Sequence, residues 1–173
     1  STHVPYTSLP DSILASKCKI LYIARNPSDT LLSLYHFFKS QRKDCQTPPN
    51  LEDCVDDFCE GKHIFGPYLE QVVEYWNRSL QDPVKGLFLK YEDLKDQPEV
   101  ELKKLSEFVG VPFSMEEENG GIVKDIVELC SIGSMKEMEG NKSGVFNKFF
   151  EKKSYFRKGE GGEWKQYLSP SDR

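Results

Sequence analysis

Residues 18–33 read CKILYIARNPSDTLLS, an apolar run that passes directly into a helix start. Cys18 to Arg25 is short and rich in β-branched and aromatic side chains, the pattern of a strand buried in a parallel sheet. Asn26 suits a helix cap. Pro27 suits the first helical position, where a missing N–H costs nothing, and Asp29 adds a carboxylate to the first turn. A strand, a tight turn and a helix over residues 26–40 make half of a βαβ unit, which sets the class as α/β.

The same rhythm continues outward. GPYLEQVVEYWNRSL (66–80) has Tyr68, Val72, Tyr75 and Trp76 at helical spacing, QDPVKG turns the chain, and GLFLKYEDL (86–94) predicts a second strand. After Pro98, Leu102, Leu105, Phe108 and Val109 share one face of an amphipathic helix that Gly110 closes. IVKDIVELC (122–130) predicts another helix. QRKDCQTPPNLEDCVDDFCEGK (41–62) reads as a surface connection around a short helix, on the side of an acceptor lid.

Composition bounds the class. Hydrophobic residues at 38%, charged at 29% and aromatic at 12% describe one folded soluble domain over 1–173. A net charge of −5 gives no long-range pull toward nucleic acid or an anionic membrane, so any anion site must be local. Five cysteines, odd in number and without a CxxC pair, fit reduced thiols of a cytosolic protein better than a disulfide framework or a zinc site. No apolar run approaches the ~20 residues that span a bilayer. STHVPYTSLP has neither a basic nor an apolar leader region, and both ends read as cut.

In a parallel α/β unit the ligand sits beyond the carboxyl ends of the strands. Arg25 ends the first strand, and Ser33 follows eight residues on, a guanidinium fork and a hydroxyl suited to a phosphate dianion. The same residues also fit an arginine paired with Asp29 and a serine facing solvent. RKGEGGEW (157–164) joins two cations, three glycines and an indole, either a close-approach loop for an anion or a charged turn before a helix. Lys148, Lys152 and Lys153 read as a solvated face. Tyr91 stacks on a base or fills a core, His3 is a general base or an exposed histidine, and His36 packs on its helix.

These pieces, in this order, resemble the plant-type cytosolic sulfotransferases related to flavonol and steroid enzymes, from Ser1 to about Leu168. THVPYTSLP resembles the family's catalytic-histidine segment, which implies His3 as base. YIARNPSDTLLSLYHF resembles its 3′-phosphate signature, implying Arg25 and Ser33 on that phosphate. KYEDL implies Tyr91 against adenine, and LCSI implies Cys130, Ser131 and Ile132 as adenosine contacts. FRKGEGGEWKQYL resembles the RKGxxGDW signature, implying Arg157, Lys158 and Gly159 on the 3′-phosphate, with Glu163 where the family has Asp.

The resemblance implies a P-loop-like three-layer α/β/α fold around a central parallel sheet, incomplete at its amino terminus. It implies 3′-phosphoadenosine-5′-phosphosulfate (PAPS) as sulfuryl donor, 3′-phosphoadenosine-5′-phosphate (PAP) as product, a small hydroxyl-bearing acceptor, a cytoplasmic monomer or weak homodimer, and no metal. The KSGTTW-type loop that holds the donor's 5′-phosphosulfate has no counterpart in the sequence. Two other readings stand beside it: a truncated, non-catalytic nucleotide-binding paralogue, and more distantly a P-loop kinase relative.

Overall fold

The computed structural model describes residues 2–41, 50–146 and 150–168. The chain groups into two units, Ser1–Pro27 with Asp56–Ser114, and Ser28–Val55 with Met115–Arg173. Residues 42–49 of the 41–62 connection expected at the surface, Cys45 among them, lie outside the described residues, and so does Lys148.

The first unit is built on a parallel pair of strands. It holds α1 (Asp11–Ala15), β1 (Ile20–Ala24) and the start of α2 (Pro27–Gln41). After the end of α3 (Leu51–Cys59) come α4 (Tyr68–Gln81), β2 (Gly86–Lys90), α5 (Tyr91–Asp96) and α6 (Pro98–Val109). β1 and β2 pair in parallel from Ile20 opposite Gly86 to Ala24 opposite Lys90. Parallel neighbours need a long crossover, and the chain between them supplies it. Tyr22 of β1 stacks on Tyr75 of α4 with ring centroids 4.2 Å apart, and Trp76 meets Phe88 of β2 edge-on at 5.1 Å. α4 therefore covers the sheet through aromatic contacts.

Two expectations shift here. The second strand ends at Lys90, not at Leu94, because its partner strand stops at Ala24 and Glu92 and Asp93 favour a helix start at Tyr91. In α6, Val109 is half exposed while Glu101 and Ser106 are buried. Val109 shares the face of Leu102 and Leu105 but is the last residue of the helix, and the Glu101 carboxylate is paired with the Lys104 ammonium one turn on. The stop at Gly110 is as expected: its φ of 93° is left-handed, and its N–H reaches the carbonyls of Ser106 and Glu107.

The second unit holds the rest of α2, the start of α3, and α7 (Met115–Asn119), α8 (Ile122–Leu129), α9 (Ile132–Glu137) and α10 (Glu139–Lys142). The antiparallel pair β3 (Val145–Phe146) and β4 (Phe150–Glu151) follows, then two 3₁₀ turns, Lys152–Tyr155 and Glu163–Gln166. Among the described residues its buried apolar ones are Leu31, Leu32, Val123 and Leu168. The Lys152 ammonium donates to the Gly140 carbonyl at 2.8 Å in an exposed contact. Among the described residues no helix is long and apolar enough to cross a membrane.

Candidate functional site

In the first unit, Arg25 and Tyr91 are the residues immediately after the last paired positions of β1 and β2, so both stand at the carboxyl edge of the sheet. The Arg25 guanidinium lies over the Tyr91 ring, 4.7 Å from its centroid. The backbone is pinned as well. The Tyr68 hydroxyl accepts the Arg25 N–H at 2.9 Å and donates to the Arg25 carbonyl at 2.6 Å. The Asn26 N–H donates to Glu92 Oε1 at 2.8 Å, which ties the turn after β1 to the start of α5. A cation and a flat ring thus occupy one corner, fixed by side chains from α4 and α5.

His3, in the same unit, is exposed, with its ring 4.5 Å from that of Phe65. The segment that follows it is held to α4. Tyr75 donates its hydroxyl to the Val4 carbonyl at 3.0 Å, and the N–H groups of Tyr6 and Thr7 donate to the Glu74 carboxylate at 3.1 Å each. His63 stacks on Phe58 at 4.8 Å, a packing role, and burial lowers its pKa.

The second unit gathers three segments far apart in sequence. Asp29, buried in the first turn of α2, accepts the Gly162 N–H at 2.7 Å across 133 residues of chain. Ser33, half-buried, lies one turn further along the same helix face. Lys136 of α9 donates its ammonium to the Arg157 carbonyl at 2.8 Å. The 157–163 loop is therefore tied both to the helix that carries Ser33 and to the helix that begins at Ile132.

Within the loop the two cations share one carboxylate. Arg157 Nη2 lies 2.5 Å from Glu163 Oε2, and Lys158 Nζ lies 2.8 Å from Glu163 Oε1. Hydrogen bonds from Arg157 first and Lys158 second outweigh burial and hold the Glu163 carboxyl down at about 2, so it is ionised at neutral pH. The same contact raises the Lys158 pKa. His36 packs edge-on against Tyr167 at 5.4 Å, and burial, then the Arg157 charge, lowers its pKa. Sequence spacing places His36 on α2 but does not reveal this proximity to the loop.

The LCSI stretch forms the corner between α8 and α9. Cys130 is an exposed free thiol, and Ile132 opens α9. Ser131 caps α9: its Oγ accepts the Ser134 N–H at 3.1 Å and lies 3.0 Å from Ser134 Oγ, which itself donates to the Glu128 carbonyl. With its proton given to Ser134, the Ser131 hydroxyl keeps one acceptor site for a ligand.

Gly159 packs against Ile132. Its φ is +70°, and a Cβ built there would stand 2.6 Å from Ile132 Cδ1. Gly159→Ala is expected to lower stability by about 1–2 kcal/mol through the left-handed backbone alone, and to move the loop off α9. Denaturant melts check this, with an unchanged midpoint as the contrary result.

Three comparisons bear on this geometry. A protein family described as the sulfotransferase domain matches residues 1–173. Cytosolic sulfotransferase 5 of Arabidopsis thaliana is 46% identical over 98% of the chain, and flavonol 3-sulfotransferase of Flaveria bidentis is 43% identical over 98% of it. The chain spans about half the length of these relatives, 53% and 55%. Among solved structures, mouse sulfotransferase SULT7A1 complexed with PAP superposes with a TM-score of 0.79 at 25% identity, over 99% of this chain and 59% of that one. A putative steroid sulphotransferase of Arabidopsis thaliana, 44% identical over 73% of this chain and 41% of that one, gives 0.60. The P-loop-like α/β class expected from the sequence is that of these neighbours.

Proposed function

The chain belongs to the sulfotransferase domain family, and from that premise we propose that it forms part of a single sulfotransferase domain and supplies the nucleotide grip and the proton acceptor for sulfuryl transfer. The donor is PAPS, the acceptor is a hydroxyl of a small organic molecule such as a flavonol or steroid, and the product nucleotide is PAP. The observation that carries the reading is the Asp29 to Gly162 hydrogen bond, which joins the glycine loop to the helix bearing Ser33.

The residues fit a phosphorylated nucleoside. A 3′-phosphate asks for guanidinium, ammonium, hydroxyl and close backbone, and Arg25, Ser33, Arg157, Lys158 and Gly159 are those groups. Adenosine asks for a flat face and small contacts, the roles given to Tyr91, Cys130, Ser131 and Ile132. His3 takes the proton from the acceptor hydroxyl as the new S–O bond forms and the bond from sulfur to the bridging phosphate oxygen breaks. No residue is assigned to a metal. The relatives' cytosolic names favour the cytoplasm as the place of action.

Calorimetry on the complete protein tests the grip. PAP is expected to bind more tightly than adenosine 5′-phosphate, and ATP to displace PAP poorly; ready displacement by ATP would favour a kinase-like site instead. A second reading is a nucleotide-binding paralogue without catalysis. It predicts PAP binding with no sulfuryl transfer from PAPS to any flavonol or steroid.

A further inference from the structure

We propose that Glu163 is the positioning residue of the loop, orienting Arg157 and Lys158 before any ligand arrives, so that preference for a 3′-phosphorylated nucleotide depends on it. The proposal rests on the reading above, that these two cations receive the 3′-phosphate.

The Glu163 side chain is only 9% exposed, against 33% for Arg157 and 53% for Lys158. The carboxylate is thus the fixed member of the trio and the cations are the parts that would otherwise move. Each carboxylate oxygen takes one cation, and each cation uses one of its donors. A guanidinium has five N–H donors and an ammonium three, so both keep donors for a phosphate. Glu163 itself opens the Glu163–Gln166 turn directly after Gly162, whose N–H is held by Asp29. The carboxylate is therefore anchored to α2 at one remove.

Two effects oppose each other when a phosphate binds. Repulsion between Glu163 and the phosphate disfavours binding, but it acts across cations that are partly in solvent and is screened accordingly. Against it stands the rotamer freedom of two long side chains, which Glu163 has already removed and which binding would otherwise have to remove. With the carboxylate nearly buried and the cations one-third and one-half exposed, the ordering effect is the larger.

The test measures binding of PAP and of adenosine 5′-phosphate to the complete protein by calorimetry and reads the ratio of the two affinities, which a change in folded fraction does not move. In Glu163→Gln the ratio is expected to fall about tenfold. Glu163→Asp, which keeps the charge, restores most of it. In an Arg157→Ala background Glu163→Gln changes the ratio far less, since one of the side chains it positions is gone.

A ratio in Glu163→Gln equal to or above the wild-type value, while Arg157→Ala lowers it, overturns the proposal and leaves the phosphate reading intact. No preference for PAP in the wild type removes both. Should Glu163→Gln fail to fold, nitrogen-15 relaxation of the Arg157 side chain in the ligand-free protein decides the matter: a rigid guanidinium is expected, and one as mobile as an exposed arginine would count against it.

Discussion

Arg157→Ala is expected to weaken PAP binding by about 2–4 kcal/mol, roughly 30- to 1000-fold, the usual cost of removing one partner from a hydrogen-bonded charge pair. Its guanidinium is one-third exposed, so solvent replaces part of what is lost and the effect belongs in the lower half of that range. The substitution also leaves the nearly buried Glu163 carboxylate with Lys158 alone, which lowers stability. Arg157→Lys separates the two losses. It restores the charge beside Glu163 but not the planar fork, so stability should recover more than affinity does. Arg25→Ala is expected to weaken PAP binding by a similar amount, and it uncovers the Tyr91 ring that Arg25 now overlies. Calorimetry with PAP on folded variants checks both, and affinities within twofold of wild type would remove these residues from the grip.

The strand, turn and helix that place Arg25 were readable because hydrophobic periodicity and cap chemistry are local properties of CKILYIARNPSDTLLS. The stop of α6 at Gly110 was readable for the same reason, since a left-handed residue needs glycine wherever the chain goes next. Elements whose limits depend on a partner were less so. β2 was expected to run to Leu94 and ends at Lys90, where its neighbour runs out, and a neighbour is not written in the strand's own sequence.

The second unit's site shows the same division. Cations and glycines in RKGEGGEW fitted both an anion loop and a charged turn, and nothing in the spacing says that Glu163 bridges Arg157 and Lys158 or that Asp29 holds Gly162 from 133 residues away. A carboxylate five and six residues after two cations was the available signal for the first contact. For the second there was only Asp29 in a first turn, where a helix dipole accounts for it equally well. Ser131 is a further case: its place in LCSI suggested a ligand contact, and its hydroxyl is largely committed to capping α9.

His3→Ala in the complete protein is expected to lower turnover by about 10²- to 10⁴-fold, the size of a general-base contribution, with little change in PAP affinity. An exposed histidine would ordinarily be a poor candidate, because a base must hold its place relative to the proton it takes. Here the chain after His3 is tied down at three residues, Val4 to Tyr75 and Tyr6 and Thr7 to Glu74, and the ring rests against Phe65. Freedom that exposure would give is thus taken away by backbone hydrogen bonds to α4. The same argument makes Glu74→Ala informative: it should reduce turnover less than His3→Ala does, since it loosens the segment without removing the imidazole. If His3→Ala retains turnover within a few-fold of wild type while PAP still binds, the proton goes elsewhere, and the anchoring of residues 4–7 serves the fold alone.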